Sequence, residues 1–190
     1  GAAINTGKDM ITQQSINSKK TAIDKIINEE IEPLKTTCKS KYDQLDEAMK
    51  PKAYSIWDLC QQEFEEWTTG EKGYDEIVRL EGTESPKTDI LQNYTEIETA
   101  LKTNVQTWEA LDNYLNEQLV AYWKNEVNEK ALEIKKLTDL IKDKGKSVVG
   151  TPKGPETDRL YNNARSVFNG ILNEFKRIEN DVEPTQKIQA

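Results

Sequence analysis

The chain has 190 residues, of which 35% are hydrophobic and 32% charged, and its formal charge is -8 at pH 7. This charge repels phosphate backbones and anionic bilayers, and no cluster of Lys and Arg is large enough to overcome it, so we expect no nucleic-acid partner. No run approaches the roughly 18 apolar residues that cross a membrane. We therefore expect no direct membrane insertion by this chain.

The chain contains no histidine. Histidine is the commonest general base and the commonest ligand of transition metals in proteins. Serine, threonine and cysteine nucleophiles therefore lack their usual base, and a di-iron bundle site, which needs Glu-x-x-His, cannot be assembled. We predict that the protein is not an enzyme and that it has no catalytic residue, metal site or cofactor.

Apolar residues recur at helical spacing along the chain, which predicts an all-α fold: an elongated antiparallel bundle of about four long helices in a single domain, 1–190. Residues 1–14 are polar and aperiodic, and we expect a frayed terminus. The first predicted helix, 15–49, has an eleven-residue apolar repeat typical of a nearly straight helix. Pro33 interrupts its hydrogen bonding and predicts a kink, or alternatively a helix that starts near Glu32.

The second predicted helix, 51–80, begins with Pro51, which is favoured at the first helical position. Thr68-Thr69-Gly70 is a typical stop signal, but the apolar spacing keeps its phase across Gly70–Gly73. The spacing therefore favours one kinked, continuous helix over a break. Its predicted apolar positions are Ala53, Trp57, Cys60, Phe64, Trp67, Tyr74 and Val78.

The third predicted helix, 86–144, follows the helix-start signal Ser85-Pro86 and contains no internal glycine or proline. Its stripe changes phase near 124–129 by an extra four-residue step, and a break near 125–128 is the alternative. The stripe before the change comprises Tyr94, Ile97, Leu101, Val105, Trp108, Leu111, Leu115, Leu119 and Tyr122. The stripe after it comprises Val127, Ala131, Ile134, Leu137 and Ile141.

The last predicted helix, 155–182, has the most regular heptad pattern in the chain. We expect it to return antiparallel along the second half of the third helix, and residues 184–190 to form a tail after Pro184. The predicted apolar positions are Tyr161, Ala164, Phe168, Ile171, Phe175, Ile178 and Val182.

Cys38 and Cys60 are each eleven residues from Met49, the centre of the first predicted turn. In an antiparallel hairpin such residues lie side by side, which predicts a disulfide. Helix axes usually stand about 8–10 Å apart, whereas a disulfide needs Cα atoms about 5.5 Å apart, so two buried thiols are the alternative. A disulfide would indicate an oxidising compartment.

Tyr122 and Trp123 are adjacent at the phase change of the third helix, so one of them must leave the main stripe. This pair is a candidate patch for a ligand or partner. The alternative is that it caps the core where a neighbouring helix ends.

These observations predict a non-enzymatic helical interaction or structural module with a protein partner, exported to a cell surface, an envelope or periplasm, or the extracellular space. One alternative is an intracellular adaptor or tether with free thiols. Another is a helical receptor for a small ligand bound near Tyr122 and Trp123.

Overall fold

The computed structural model describes residues 2–190, with every side chain in that range except those of Asn5 and Thr185. Residues 2–190 contain helices and no strand, which confirms the predicted all-α class. The helices are α1 (Ala2–Lys25), a π-helical turn (Ile26–Ile31), α2 (Glu32–Asp43), α3 (Lys50–Thr68), α4 (Tyr74–Glu81), α5 (Lys87–Ser147), α6 (Gly154–Asp181) and α7 (Pro184–Lys187).

The chain divides into two compact units, and the boundary along the sequence falls between Leu115 and Asn116 within α5. Unit 1 comprises the residues up to Leu115, and unit 2 comprises those from Asn116 to Ala190. The single domain predicted from the sequence stays a prediction.

Unit 1 is a bundle in which α1 and α2 run parallel to α5 and α3 runs antiparallel to it. Lys19 pairs with Glu98 and Lys41 with Asp112, so residue numbers rise together on these helices. On α3 the order is reversed, since Lys52 lies over Tyr114 while Cys60 contacts Thr107. The buried stripe of α5 packs against α1 and α2 and also against α3. Its fully or nearly fully buried members are Tyr94, Ile97, Leu101, Trp108, Leu111 and Leu115.

The prediction of a frayed segment over 1–14 was wrong for the described residues 2–14, which form the first half of α1. Ile16 is fully buried just beyond them and anchors the helix to unit 1. Once a helix is nucleated, each added residue gains a hydrogen bond at little cost, so a polar segment can extend it.

Pro33 is accommodated by a wide turn rather than by a loop. The π-helical turn ends at Ile31, and the Glu32 N–H donates to the Ile27 carbonyl five residues back instead of four. Proline has no N–H to donate, so the hydrogen-bond register can shift next to it with little further loss. The predicted irregularity at Pro33 is therefore present as a π turn, and helical structure continues on both sides of it.

The predicted continuous helix over 51–80 was wrong, because α3 ends at Thr68 and α4 begins at Tyr74. The Gly70 N–H donates to the Glu65 carbonyl at 2.8 Å, which closes the end of α3. A Cβ atom at Gly70 would lie 2.5 Å from the Glu66 carbonyl oxygen. Only glycine fits this close approach, so the stop signal was the correct one.

The break also resets the helical phase in α4. Ile77 is buried there, whereas Val78, the predicted stripe residue, is 39% exposed. The apparent continuity of spacing across the glycines was therefore coincidental.

Helix α5 is continuous through 125–128, so the alternative of a break there is excluded. Trp123 is buried and Tyr122 is only half-buried, so Trp123, and not the predicted Tyr122, continues the buried stripe of α5 at the phase change.

Unit 2 is an antiparallel hairpin of the second half of α5 with α6. A Cβ atom at Gly145 would lie 3.1 Å from Thr157 Cγ2, and Lys124 Nζ lies 3.3 Å from Glu179 Oε1 at the opposite end. The facing residues form what we call the α5–α6 seam. It comprises Val127, Ala131, Ile134, Thr138 and Ile141 on α5, and Tyr161, Ala164, Phe168, Ile171, Phe175 and Ile178 on α6.

The seam confirms the predicted stripe of α6 from Tyr161 to Ile178, whereas Val182 lies beyond the helix in extended backbone. The predicted stripe of α5 needs one correction. Leu137 was predicted to be in the stripe, yet it is 58% exposed and Thr138 is buried in its place. The Thr138 hydroxyl donates to the Ile134 carbonyl at 3.0 Å, so its burial leaves no polar atom unpaired. Thr138 lies seven residues before Gly145, which packs against Thr157 of α6, so position 138 faces α6 as well. Position 137 is off this spacing by one residue.

Candidate functional site

The predicted pair Tyr122–Trp123 borders an open cleft of about 270 Å³ in unit 2. Trp123 is buried and forms one wall, and Tyr122 lies half-buried beside it. The cleft is also lined by Phe175 from α6 and by Ile188 from the carboxyl-terminal tail. The pair is therefore brought to a surface cleft, as a patch for a partner or ligand requires.

The tail occupies part of this cleft through Lys187, whose side chain is almost completely buried. Its Nζ donates to the Glu179 carbonyl at 2.8 Å and lies 5.1 Å from the centre of the Trp123 ring. Glu179 is in the last turn of α6, where carbonyls lack helical partners and a cation is favourable. The Lys187 side chain thus caps α6 and covers Trp123, a role that the sequence pattern did not indicate.

Replacing Lys187 by Met should release the tail from Trp123. The variant keeps most of the apolar stem but loses a charged hydrogen bond and a cation–π contact, each worth about 1–2 kcal/mol. We expect amide exchange of residues 185–190 to accelerate at least tenfold, with little change in α5. The exposed Lys176 of α6, changed to Met, is the control and should leave the tail unaffected. Equal exchange rates in both variants would contradict the capping role.

Both cysteines of unit 1 are completely buried and are free thiols in this structure. Cys38 Sγ donates to the Trp108 carbonyl at 3.7 Å, and Cys60 Sγ donates to the adjacent Thr107 carbonyl at 3.8 Å. The two thiols therefore approach the same point on α5 from α2 and α3. The Cys38–Cys60 disulfide stays a prediction.

Burial raises the pKa of Cys38 to about 12 and that of Cys60 to about 11. The thiolate is the reactive form, so both thiols of the reduced protein should resist a thiol reagent such as dithionitrobenzoate at pH 8. In denaturant, both should react within seconds. Rapid reaction of either thiol in the native protein would contradict the packing of α2 and α3 against α5.

Unit 2 also has an exposed apolar surface that the sequence pattern did not indicate. Leu137 directly precedes Thr138 of the seam on α5. Leu160 and Val167 directly precede two seam residues of α6 in the same way. One residue corresponds to a rotation of about 100°, and equal rotations on two antiparallel helices lead to the same side of the pair.

Leu140 extends this surface by one turn on α5. We call these four residues, Leu137, Leu140, Leu160 and Val167, the midpoint patch, and they are 48% to 62% exposed. Large exposed apolar side chains that cluster on one surface are typical of binding sites. The sequence signal that could have revealed Leu137 was Thr138 beside it, since only one of these two residues can occupy the seam position.

Among residues 2–190, no group of three or more cysteine or acidic side chains is arranged to hold a metal ion. No helix in this part of the chain is both long and apolar enough to span a bilayer. No protein-family model matches the chain, and neither the curated proteins nor the solved structures contain a match to it.

Proposed function

We propose that the chain is a non-enzymatic helical interaction module in which unit 1 is the stable body and the hairpin of unit 2 is the binding surface. The observation that carries this proposal is the contrast in coverage between the units. In unit 1 the apolar stripe of α5 is buried on both sides, whereas in unit 2 most seam residues are half-buried and the midpoint patch is exposed. A partner that covers the patch would complete the core of unit 2.

The proposal predicts that the midpoint patch contributes to binding a partner but little to the stability of the chain itself. Replacing Leu137 and Leu160 together by Gln should change the free energy of unfolding of dilute protein by less than about 1 kcal/mol, as is usual for exposed sites. The same variant should bind less of the apolar dye anilinonaphthalene sulfonate. A matched pair of substitutions, Leu59→Gln and Tyr54→Gln on the exposed side of α3, should leave dye binding to the patch intact.

Two outcomes would overturn the proposal. One is a loss of more than about 2 kcal/mol in the Leu137→Gln/Leu160→Gln variant, since such a loss indicates core residues. The other is dye binding that is the same in this variant and in wild type.

The compartment remains a proposal with two alternatives. Export to a cell surface, an envelope or the extracellular space depends on the Cys38–Cys60 disulfide, which the approach of both thiols to one point on α5 supports. An intracellular adaptor or tether with free thiols is supported by the two S–H donors to carbonyls. The mass of protein taken from its native source and alkylated in denaturant, with and without prior reduction, separates them. Alkylation only after reduction supports export, and alkylation without reduction contradicts it.

The hypothesis of a small-ligand receptor is supported by the open cleft beside Trp123, but the cleft of about 270 Å³ is slightly smaller than common ligand sites. It stays a prediction.

A further inference from the structure

Charged residues flank the midpoint patch at equal distances from its centre. On each helix the residue at one end is acidic and the residue at the other end is basic. On α5, Glu133, Leu137, Leu140 and Lys144 follow one another at intervals of four, three and four residues and therefore share one side of the helix. An acidic residue thus flanks the two leucines on one side and a basic residue flanks them on the other, at equal distances. The centre of this pattern lies between residues 138 and 139.

Helix α6 has the same kind of pattern with the opposite order of charge. Lys153, Leu160, Val167 and Glu174 follow one another at seven-residue intervals, so they also share one side. Lys153 is the residue directly before α6, and its backbone is already helical. The centre of this second pattern lies between residues 163 and 164.

The two centres lie at the same level of the hairpin. Gly145 faces Thr157, and Ile141 shares a surface cleft with Tyr161. Each step along α5 is matched by a step back along α6, so residues 138 and 139 face residues 164 and 163. A two-fold axis through this level and perpendicular to the helices therefore serves both patterns at once.

We propose that a second copy of this chain covers the midpoint patch, with the two hairpins packed face to face and antiparallel as a four-helix bundle. This inference rests on the proposed function and names its partner. Across the two-fold axis, Leu137 meets Leu140 of the second copy and Leu160 meets its Val167. Glu133 meets Lys144, and Lys153 meets Glu174. All eight positions are exposed in the single chain.

Charge favours a second copy at unit 2 over one at unit 1. Unit 1 contains 22 acidic and 13 basic residues, so its formal charge is -9 and two such units repel each other. Unit 2 contains 12 acidic and 13 basic residues, for a charge of +1. The antiparallel arrangement also places residue 116, where unit 1 is attached, at opposite ends of the two copies.

The flanking charges are available for such contacts. Among the described residues, Glu133, Lys144 and Lys153 have no ion pair within the chain, and Glu174 pairs only with the exposed Arg177 of its own helix. Exposed pairs of that kind contribute little to stability, so Glu174 can exchange partners. Isologous contacts between identical surfaces are also the commonest route to a soluble dimer.

Sedimentation equilibrium of the full chain tests this proposal by a charge-swap series. Wild type should form a dimer of twice 21.8 kDa. Glu133→Lys alone, or Lys144→Glu alone, creates two like-charge contacts per dimer and should raise the dimer dissociation constant about tenfold at low salt. The double variant Glu133→Lys/Lys144→Glu restores opposite charges across the axis and should return the constant to within about threefold of wild type.

Matched controls lie on the opposite side of α5, where Lys135 and Asp139 are also exposed. Lys135→Glu and Asp139→Lys should each leave the dissociation constant within about threefold of wild type, since screening limits charge effects to about 10 Å. The combined substitution Leu137→Glu/Leu160→Glu should abolish the dimer without unfolding the chain, as judged by circular dichroism.

Two results would overturn the second copy as partner. One is a chain that stays monomeric up to about 100 μM, and the other is a double variant whose dimer dissociates as readily as that of the single variants. The fate of the proposed function is read separately, from dye binding. A monomer whose dye binding depends on Leu137 and Leu160 keeps the interaction surface and requires a different partner. A monomer without such binding overturns both.

Discussion

Replacing Trp108 by Ala should lower the free energy of unfolding by about 3–5 kcal/mol, the usual range for a buried tryptophan. Trp108 is completely buried in unit 1, and its ring lies edge-on to Trp57 with the centroids 4.8 Å apart. Its indole N–H donates to Asn104 Oδ1 at 2.9 Å, and Asn104 in turn donates to the Cys60 carbonyl at 3.2 Å. The substitution therefore creates a cavity and also leaves a buried acceptor unpaired.

Urea denaturation of two further variants separates the N–H from the ring and supplies a control. Trp108→Phe keeps most of the ring but not the N–H, so it should lose about 1–3 kcal/mol, the cost of an unsatisfied buried group. Tyr54→Ala removes an aromatic side chain that is 56% exposed on α3 and should cost less than about 1 kcal/mol. A loss below about 1 kcal/mol for Trp108→Ala would contradict the position of α5 at the centre of unit 1.

Replacing Glu81 by Leu should lower the free energy of unfolding by about 2–3 kcal/mol, because several partners converge on this carboxylate. The Tyr94 hydroxyl donates to it at 2.6 Å, Lys20 Nζ lies 3.2 Å away, and Gln13 donates at 3.4 Å. Tyr94 is completely buried, so its hydroxyl has no access to water once Glu81 is gone. The exposed Glu84, changed to Leu in the following loop, is a control that should have little effect.

The effect of Glu81 should also depend on pH. Burial raises the pKa of its carboxyl, but the hydrogen bonds from Tyr94, Lys20 and Gln13 outweigh burial and hold the pKa below the ordinary 4.5. A lowered pKa stabilises the fold above the ordinary value, and this stabilisation is lost as pH falls through the pKa of the folded state. The difference in stability between wild type and Glu81→Leu should therefore be largest near neutral pH and shrink as the pH falls below the ordinary pKa of 4.5. A difference that is constant with pH would mean that Glu81 acts through packing alone.

The sequence predicted the helices well because long amphipathic stripes depend on local spacing alone. The buried positions of α5 in unit 1 and the return of α6 follow directly from three- and four-residue steps. The break between α3 and α4 was missed because apolar spacing was given more weight than glycine. Gly70 approaches the Glu66 carbonyl too closely for any side chain, and this steric fact is visible only in three dimensions.

The candidate surfaces were only partly predictable. The phase change on α5 indicated Tyr122 and Trp123, but nothing in the spacing showed that Lys187 would return to cover Trp123. The midpoint patch was missed because Leu137 was assigned to the seam as the more apolar of two neighbours. Thr138 is buried there instead, since its hydroxyl bonds to the helix backbone and its position continues the spacing toward Gly145.

Helix α5 offers the most direct test of the account, since one uninterrupted helix is well covered in unit 1 and sparsely covered in unit 2. Residue-resolved amide hydrogen exchange of dilute protein should show exchange at least a hundredfold slower over residues 94–111 than over 130–144. Raising the protein concentration should slow exchange over 132–145 and 157–170, where the second copy packs. Uniform protection along the whole of α5 at every concentration would contradict the account, because it would mean that the hairpin has no uncovered surface.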